Sequence, residues 1–356
     1  MENTNIEPQV IVAAEDPQLK AKKTFKICKR LVFWAIMAVL FQFLISAGVA
    51  TVGNTVFSLA QRAGIVSEEA SMSSDKTMLV TAVAYVVANT VAALICFKAT
   101  KTGKIKSLFK GNKFTALDTV AGVVAILGFS FVLDNITTLF ENFFANSNEF
   151  VSSIIGDSLG STTFGTICTV LYVCILGPIT EEILCRGAVL RASSPVSKGC
   201  AIFISSLLFG LVHGNFTQIF QACIMGILLA YVAIKSGSII VPCIMHIANN
   251  SISTGSAYLF AKCTPEQVKT ITISVTIVFA VLAVLSTIYL VKKFGLITKN
   301  DKIEGDKVVS SEDVEEAKSM IKGFTVKTVV TCPVFWIALV LFNAMAIAMA
   351  TGVLNA

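Results

Sequence analysis

Apolar runs of about 20 residues, the length that crosses ~30 Å of hydrocarbon at ~1.5 Å per residue, recur along this chain from Leu31 almost to its end. A segment in lipid must satisfy its backbone N–H and C=O groups internally, which leaves helices or closed barrels. No ten-residue alternation of apolar and polar residues is present, so a barrel is excluded. Spans are expected near Leu31–Val52, Met78–Phe97, Leu117–Phe140, Phe164–Arg191, Cys200–His213, Gln218–Ile234, Ile239–Ala257, Thr270–Val291 and Val329–Ala350. The fourth is long and the fifth short. The expected fold is all-α, a polytopic transmembrane helix bundle of about eight or nine spans around an intramembrane polar cavity. Composition agrees, with 55% hydrophobic and 14% charged residues.

Charge orients the spans. The first 30 residues end in Lys20, Lys22, Lys23, Lys26, Lys29 and Arg30, too long and too charged a lead for a cleaved signal peptide. Lys98, Lys101, Lys104, Lys106, Lys110 and Lys113 follow the second span without an intervening acid, whereas Glu141, Glu149 and Asp157 follow the third. The positive-inside rule then places the N-terminus in the cytoplasm, the basic loop inside and the acidic loop outside, in what is expected to be the plasma membrane. The net charge of +6 is thereby assigned to orientation and anionic lipid contact, with no feature that suits nucleic acid. Four regions follow: a polar cytoplasmic tail (1–30), N-terminal spans (31–140), a core (141–260), and C-terminal spans (261–356) with a charged cytoplasmic loop at 292–328. That loop, with Ser310-Ser311-Glu312-Asp313 as a helix start, is expected to be solvated rather than a second domain. Ten cysteines stand singly without a CxxC pair and fit packing roles. No internal repeat suggests a two-half transporter.

The chemistry begins in the fourth span, where Glu181, Glu182 and Arg186 interrupt an otherwise apolar helix. Three unpaired charges at mid-membrane would cost on the order of 8–10 kcal/mol, so partners are required. Glu182 and Arg186 are four apart, acid first, and can pair on one face. Glu181 is rotated about 100° from Glu182 and is left free to react. Pro178 removes a helix hydrogen bond one turn earlier and can open the helix there. The alternative is a helix end at the interface with snorkelling charges, although Ala188-Val189-Leu190 continues the apolar run.

The chain has two histidines, His213 and His246, each in an apolar stretch. His213 follows Phe209 by one turn; alone, it reads as a capping or packing residue as readily as a reactive one. His246 shares a helix face with Asn250, beside Asn249, and the bland reading is interhelical polar glue.

Taken in order, EEILCR, FGLVH and HIANN lie in separate apolar helices and resemble the EExxxR, FxxxH and HxxxN motifs of the CPBP family. These are intramembrane proteases that include the type II CAAX prenyl endopeptidases and bacteriocin-immunity-like relatives. The resemblance covers Phe164 to Ala257. It implies that Glu181 is the general base activating water, with His213 helping to hold it, and that His246 and Asn250 stabilise the oxyanion. Glu182 and Arg186 are implied as the supporting pair. The implied function is an endopeptidase acting on a membrane-associated protein or peptide, prenylated or not. Physical chemistry agrees, since a water-shielded carboxylate suits a base and preorganised donors in a dry cavity stabilise developing charge.

Several points stay open on sequence alone. Relatives are often labelled metalloproteases, and Glu181, His213 and His246 are candidate zinc ligands. No HExxH helix is present, and no cofactor is favoured. The expected partners are a peptide substrate and the bilayer, with no nucleic acid and no oligomeric state assigned. With a turn near Pro195, Glu181 and His213 lie well away from it, and either membrane side can provide access. A transporter or proton relay would also place ionisable groups in the membrane, and a non-catalytic immunity or scaffold protein would keep the fold without the reaction.

Overall fold

The computed structural model describes residues 15–67, 74–143, 162–214 and 216–350. Among them the chain is helical, without strands: α1 (Pro17–Arg62), α2 (Ser74–Thr100), α3 (Ala116–Phe143), α4 (Thr163–Ser193), α5 (Lys198–Leu211), α6 (Phe216–Ser236), α7 (Ile240–Phe260), α8 (Pro265–Phe294), α9 (Ser311–Met320), α10 (Phe324–Val330) and α11 (Pro333–Ala350). All nine expected spans fall on helices. Six of these helices are long and apolar enough to cross a membrane, or up to seven if the bent pair α10 and α11 counts as one. The expected eight or nine spans are thus reduced on this criterion. Helix α5 has only 14 residues, about 21 Å of rise. Helix α7 has the length, but its polar run from His246 through Thr254 dilutes its hydropathy.

Helix starts follow the local sequence. Asp16 accepts from Gln18 N at 3.0 Å ahead of Pro17, which suits the first turn because its missing N–H would have no helical partner there. Thr264 and Gln267 form a reciprocal capping box with Pro265 inside it. The basic stretch before Leu31 is not a loose tail: from Pro17 it is the first part of α1, and Phe25 packs edge-on against Phe324 at 5.5 Å. Residues 1–14, and Glu149 and Asp157 of the expected outer loop, lie outside the described residues.

Helix α4 is the strut of the bundle. It packs against α1, α2, α5 and α7, and its residues Ile183–Ser193 are all buried. Helix α8 packs on α3 at the periphery, and only 6% of its apolar window is buried, as for a helix presented to lipid. Helices α5 and α6 approach through two glycines. A Cβ on Gly226 would stand 2.9 Å from Ser206 Cα, and one on Gly210 would stand 2.7 Å from the Ile219 carbonyl. Small residues let membrane helices close in this way. The result brings the Gly226 carbonyl to the interior face of α4.

The charged segment after α8 is where expectation and structure part. It is not simply solvated. Asp301 binds Lys235 at 2.8 Å, Asp313 and Glu316 bind Lys20, Glu304 binds Arg191, and Asp306 binds Lys198. Each pair joins an acid of this segment to a base at a helix end of the bundle, so the segment clasps that end. Ser310 caps α9 as expected, accepting from Glu312 N, while Val314 and Ala317 are buried beneath it. Partial burial pushes the Asp301 carboxyl up, but the hydrogen bonds from Lys235 and Thr298 outweigh it and hold it below the usual carboxylate range. A depressed folded pKa contributes stability that is complete above the unfolded value, ~3.9, and is lost as pH falls below it. Hydrogen exchange across residues 297–309 should therefore stay slow at neutral pH and accelerate only below about pH 4. Asp301→Asn should reproduce the acceleration at pH 7, and equal protection in the variant would refute the clasp.

Candidate active site

Helix α4 carries the acids on a distorted backbone. Val170–Leu176 and Ile183–Val189 are π-helical, and the α-helical piece Gly177–Glu182 lies between them. Such wide turns in helices are frequent at functional sites. The first has a local cause. Gly177 N–H donates to Tyr172 O, the i−5 register, so the Val173 carbonyl would next be met by residue 178. That residue is Pro178, which has no N–H. Asn250 of α7 fills the gap, donating from Nδ2 to Val173 O at 3.0 Å. The second N–H of its carboxamide stays available, because a primary amide carries two donors.

Glu182 and Arg186 meet as the four-residue spacing predicts. Arg186 Nη1 donates to Glu182 Oε1 at 2.8 Å, and both side chains are 0% exposed. Arg186 Nη2 donates to Gly226 O at 3.2 Å, and the guanidinium lies 4.3 Å from the centre of the Phe209 ring. A buried guanidinium is thus held by a carboxylate, a carbonyl and a π face. The cluster is no helix end at an interface: Ile183 to Arg191 continue buried in the bundle.

His246 stands between the two acids. Its Nδ1 is 3.0 Å from Glu182 Oε1, and its Nε2 is 3.7 Å from Glu181 Oε2. Glu182 accepts from Arg186 already, so Nδ1–H donates and Glu182 fixes the imidazole's orientation. Glu181 is 24% exposed, the one member of this group with a substantial opening, and the Tyr85 and Tyr172 phenols lie within reach of its charge. Gly177 admits the wide turn, since a Cβ there would stand 2.9 Å from the Tyr172 carbonyl.

His213 lies just past the end of α5. Its Nδ1 is 2.8 Å from Phe209 O, and its ring packs edge-on to Phe209 at 5.1 Å. His246 packs on the same ring at 5.4 Å. Phe209 therefore holds both imidazoles and the guanidinium around one aromatic, and His213 keeps Nε2 to offer. No described contact links His213 directly to Glu181. Asn249 donates to Asn250 Oδ1 at 3.4 Å, which orients the carboxamide.

The zinc candidates do not assemble into a ligand set. Among the described residues no group of three or more His, Cys, Asp or Glu side chains is placed to hold an ion. Both histidines hydrogen-bond through Nδ1 and keep Nε2, and the hydrolytic steps below are written on side chains alone. Three contributors escape the motifs. Asn89 of α2 donates to Thr180 Oγ1 at 3.2 Å, Gly226 supplies its carbonyl, and Tyr172 lines the Glu181 side. Asn89, an isolated amide in an apolar span, was the one visible signal among them.

Residues 163–252 match the family model described as Type II CAAX prenyl endopeptidase Rce1-like. No curated protein and no solved structure matches the chain. The matched stretch begins at α4 and ends within α7, two residues beyond Asn250, so it contains all seven motif residues, Phe209 among them. The protein is a multi-pass helical membrane protein whose residues 163–252 match the family model of Type II CAAX prenyl endopeptidase Rce1-like proteins.

Proposed function

We propose that the chain is an intramembrane endopeptidase that hydrolyses a peptide bond of a membrane-associated protein or peptide. The observation that carries the reading is the division of labour between adjacent acids. Glu182 is sealed and engaged by Arg186 and His246, while Glu181 is partly open and hydrogen-bonded to nothing described. A carboxylate so placed is free to take a proton, and its neighbour is free only to hold structure.

In the proposed reaction, Glu181 takes a proton from water held with His213 Nε2, and the hydroxide adds to the scissile carbonyl carbon. Charge builds on the carbonyl oxygen, which the unused Asn250 N–H receives together with His246 as the imidazolium, its Nδ1–H on Glu182 and its Nε2–H on the oxygen. Collapse breaks the C–N bond, and Glu181 returns its proton to the leaving amine. Donors preorganised away from bulk water are worth far more here than in solution. The family's printed name points to prenylated protein C-termini as one substrate class, and an unmodified membrane peptide fits the same chemistry. The basic residues ahead of the first apolar run support a cytoplasmic N-terminus.

The test is a comparison of membrane peptidomes from cells carrying the wild type or Glu181→Ala. A fragment present only with the wild type, and its uncut parent accumulating with the variant, is the expected result. Identical peptidomes, with wild-type expression of both proteins, would overturn the assignment.

A further inference from the structure

A cavity of about 290 Å³ lies beneath the clasping segment, near the lower end of the ~300–1,000 Å³ usual for small-ligand pockets. Arg186 and Arg191 reach it from the bundle, and Lys302 and Lys307 from the segment. Four cations thus line one space in which Glu304 is the single acid. Arg191 is engaged by Glu304 and Arg186 by Glu182. Lys302 and Lys307 have no ion-pair partner among the described residues, and Arg186 Nε is buried without a hydrogen-bond acceptor.

Lys302 and Lys307 are exposed at the mouth of this space, and the unsatisfied Arg186 Nε–H lies buried at its floor, so an anion entering it would meet two free ammonium groups and one orphaned donor. The anion must bring several acceptor oxygens, because the donors come from different elements. Guanidinium groups suit the oxygens of phosphate, and ammonium groups serve it as point charges. We propose that this cavity binds a phosphate group, either as a free anion or as the headgroup of an anionic lipid. The clasped end of the bundle is where its basic residues collect, which brings anionic headgroups close. An occupant would also touch Arg186, the residue that holds Glu182 against His246, so binding would brace the polar cluster from below. The inference does not depend on peptide hydrolysis.

The full chain in phosphatidylcholine nanodiscs is titrated with inorganic phosphate, and separately reconstituted with an added anionic phospholipid, with the thermal midpoint as readout. A ligand that binds only the folded state raises that midpoint with concentration. Lys302→Gln with Lys307→Gln should weaken the response at least tenfold in apparent affinity. Lys110→Gln with Lys322→Gln, which removes the same charge from exposed positions elsewhere, should leave it intact. A response to phosphate identifies a soluble anion, and a response confined to the lipid arm identifies a headgroup. No response to either probe, or an equal loss in the two double variants, overturns the proposal.

Discussion

Glu181→Gln is expected to slow cleavage of an identified substrate by about 10²–10⁴-fold, the range supplied by general acid–base catalysis, while leaving the fold intact. The substitution keeps volume and shape. It removes only the ability to accept a proton, and Glu181 gives up no described hydrogen bond in the process. The thermal midpoint should therefore fall far less than for Glu182→Ala, because no described hydrogen bond is lost. Substrate affinity should change little compared with turnover, because the carboxylate acts on water in the transition state rather than on the bound peptide. Turnover at the wild-type rate would remove Glu181 from the role of base. A large loss of stability would show that its open position had been misjudged.

The spacing of Glu182 and Arg186 was legible because a helix turn is local: acid and base four apart must share a face whatever surrounds them. The same holds for Phe209 and His213, which do stack edge-on. Nine apolar stretches likewise located nine helices, since span length is set by the bilayer rather than by tertiary detail. What pattern reasoning could not supply is the π register around Pro178, which depends on one displaced hydrogen bond at Gly177. Without it, Asn250 has no evident partner in Val173, and its carboxamide looks like an oxyanion donor alone. The position of His246 between two glutamates was equally hidden, because α4 and α7 are joined only by tertiary packing. The clasp over the helix ends rests on pairs such as Arg191 with Glu304, separated by 113 residues, where charge counting alone reads a solvated loop.

Glu182→Ala should be the most destabilising single change at the site, lowering stability by about 3–5 kcal/mol, the usual result of removing one partner from a buried ion pair. Arg186 would keep only the Gly226 carbonyl and the Phe209 face for a full charge, and His246 Nδ1–H would lose its acceptor. Arg186→Met should cost a similar amount, because Glu182 would be left in a dry interior with one imidazole against it. The double variant Glu182→Gln with Arg186→Met removes both charges together and keeps an amide oxygen for His246. Buried pairs replaced in this way are often neutral in stability, so the double variant should be more stable than Glu182→Ala or Arg186→Met. Thermal midpoints measured by size-exclusion chromatography of heated, detergent-solubilised protein would follow this order. Simple additivity of Glu182→Gln and Arg186→Met, each also measured alone, would mean that the charges do not support one another across the helix turn. If recovery of stability comes without recovery of cleavage, the pair holds His246 in a charge state and orientation that packing alone does not supply. Recovery of both would reduce Glu182 and Arg186 to filling space.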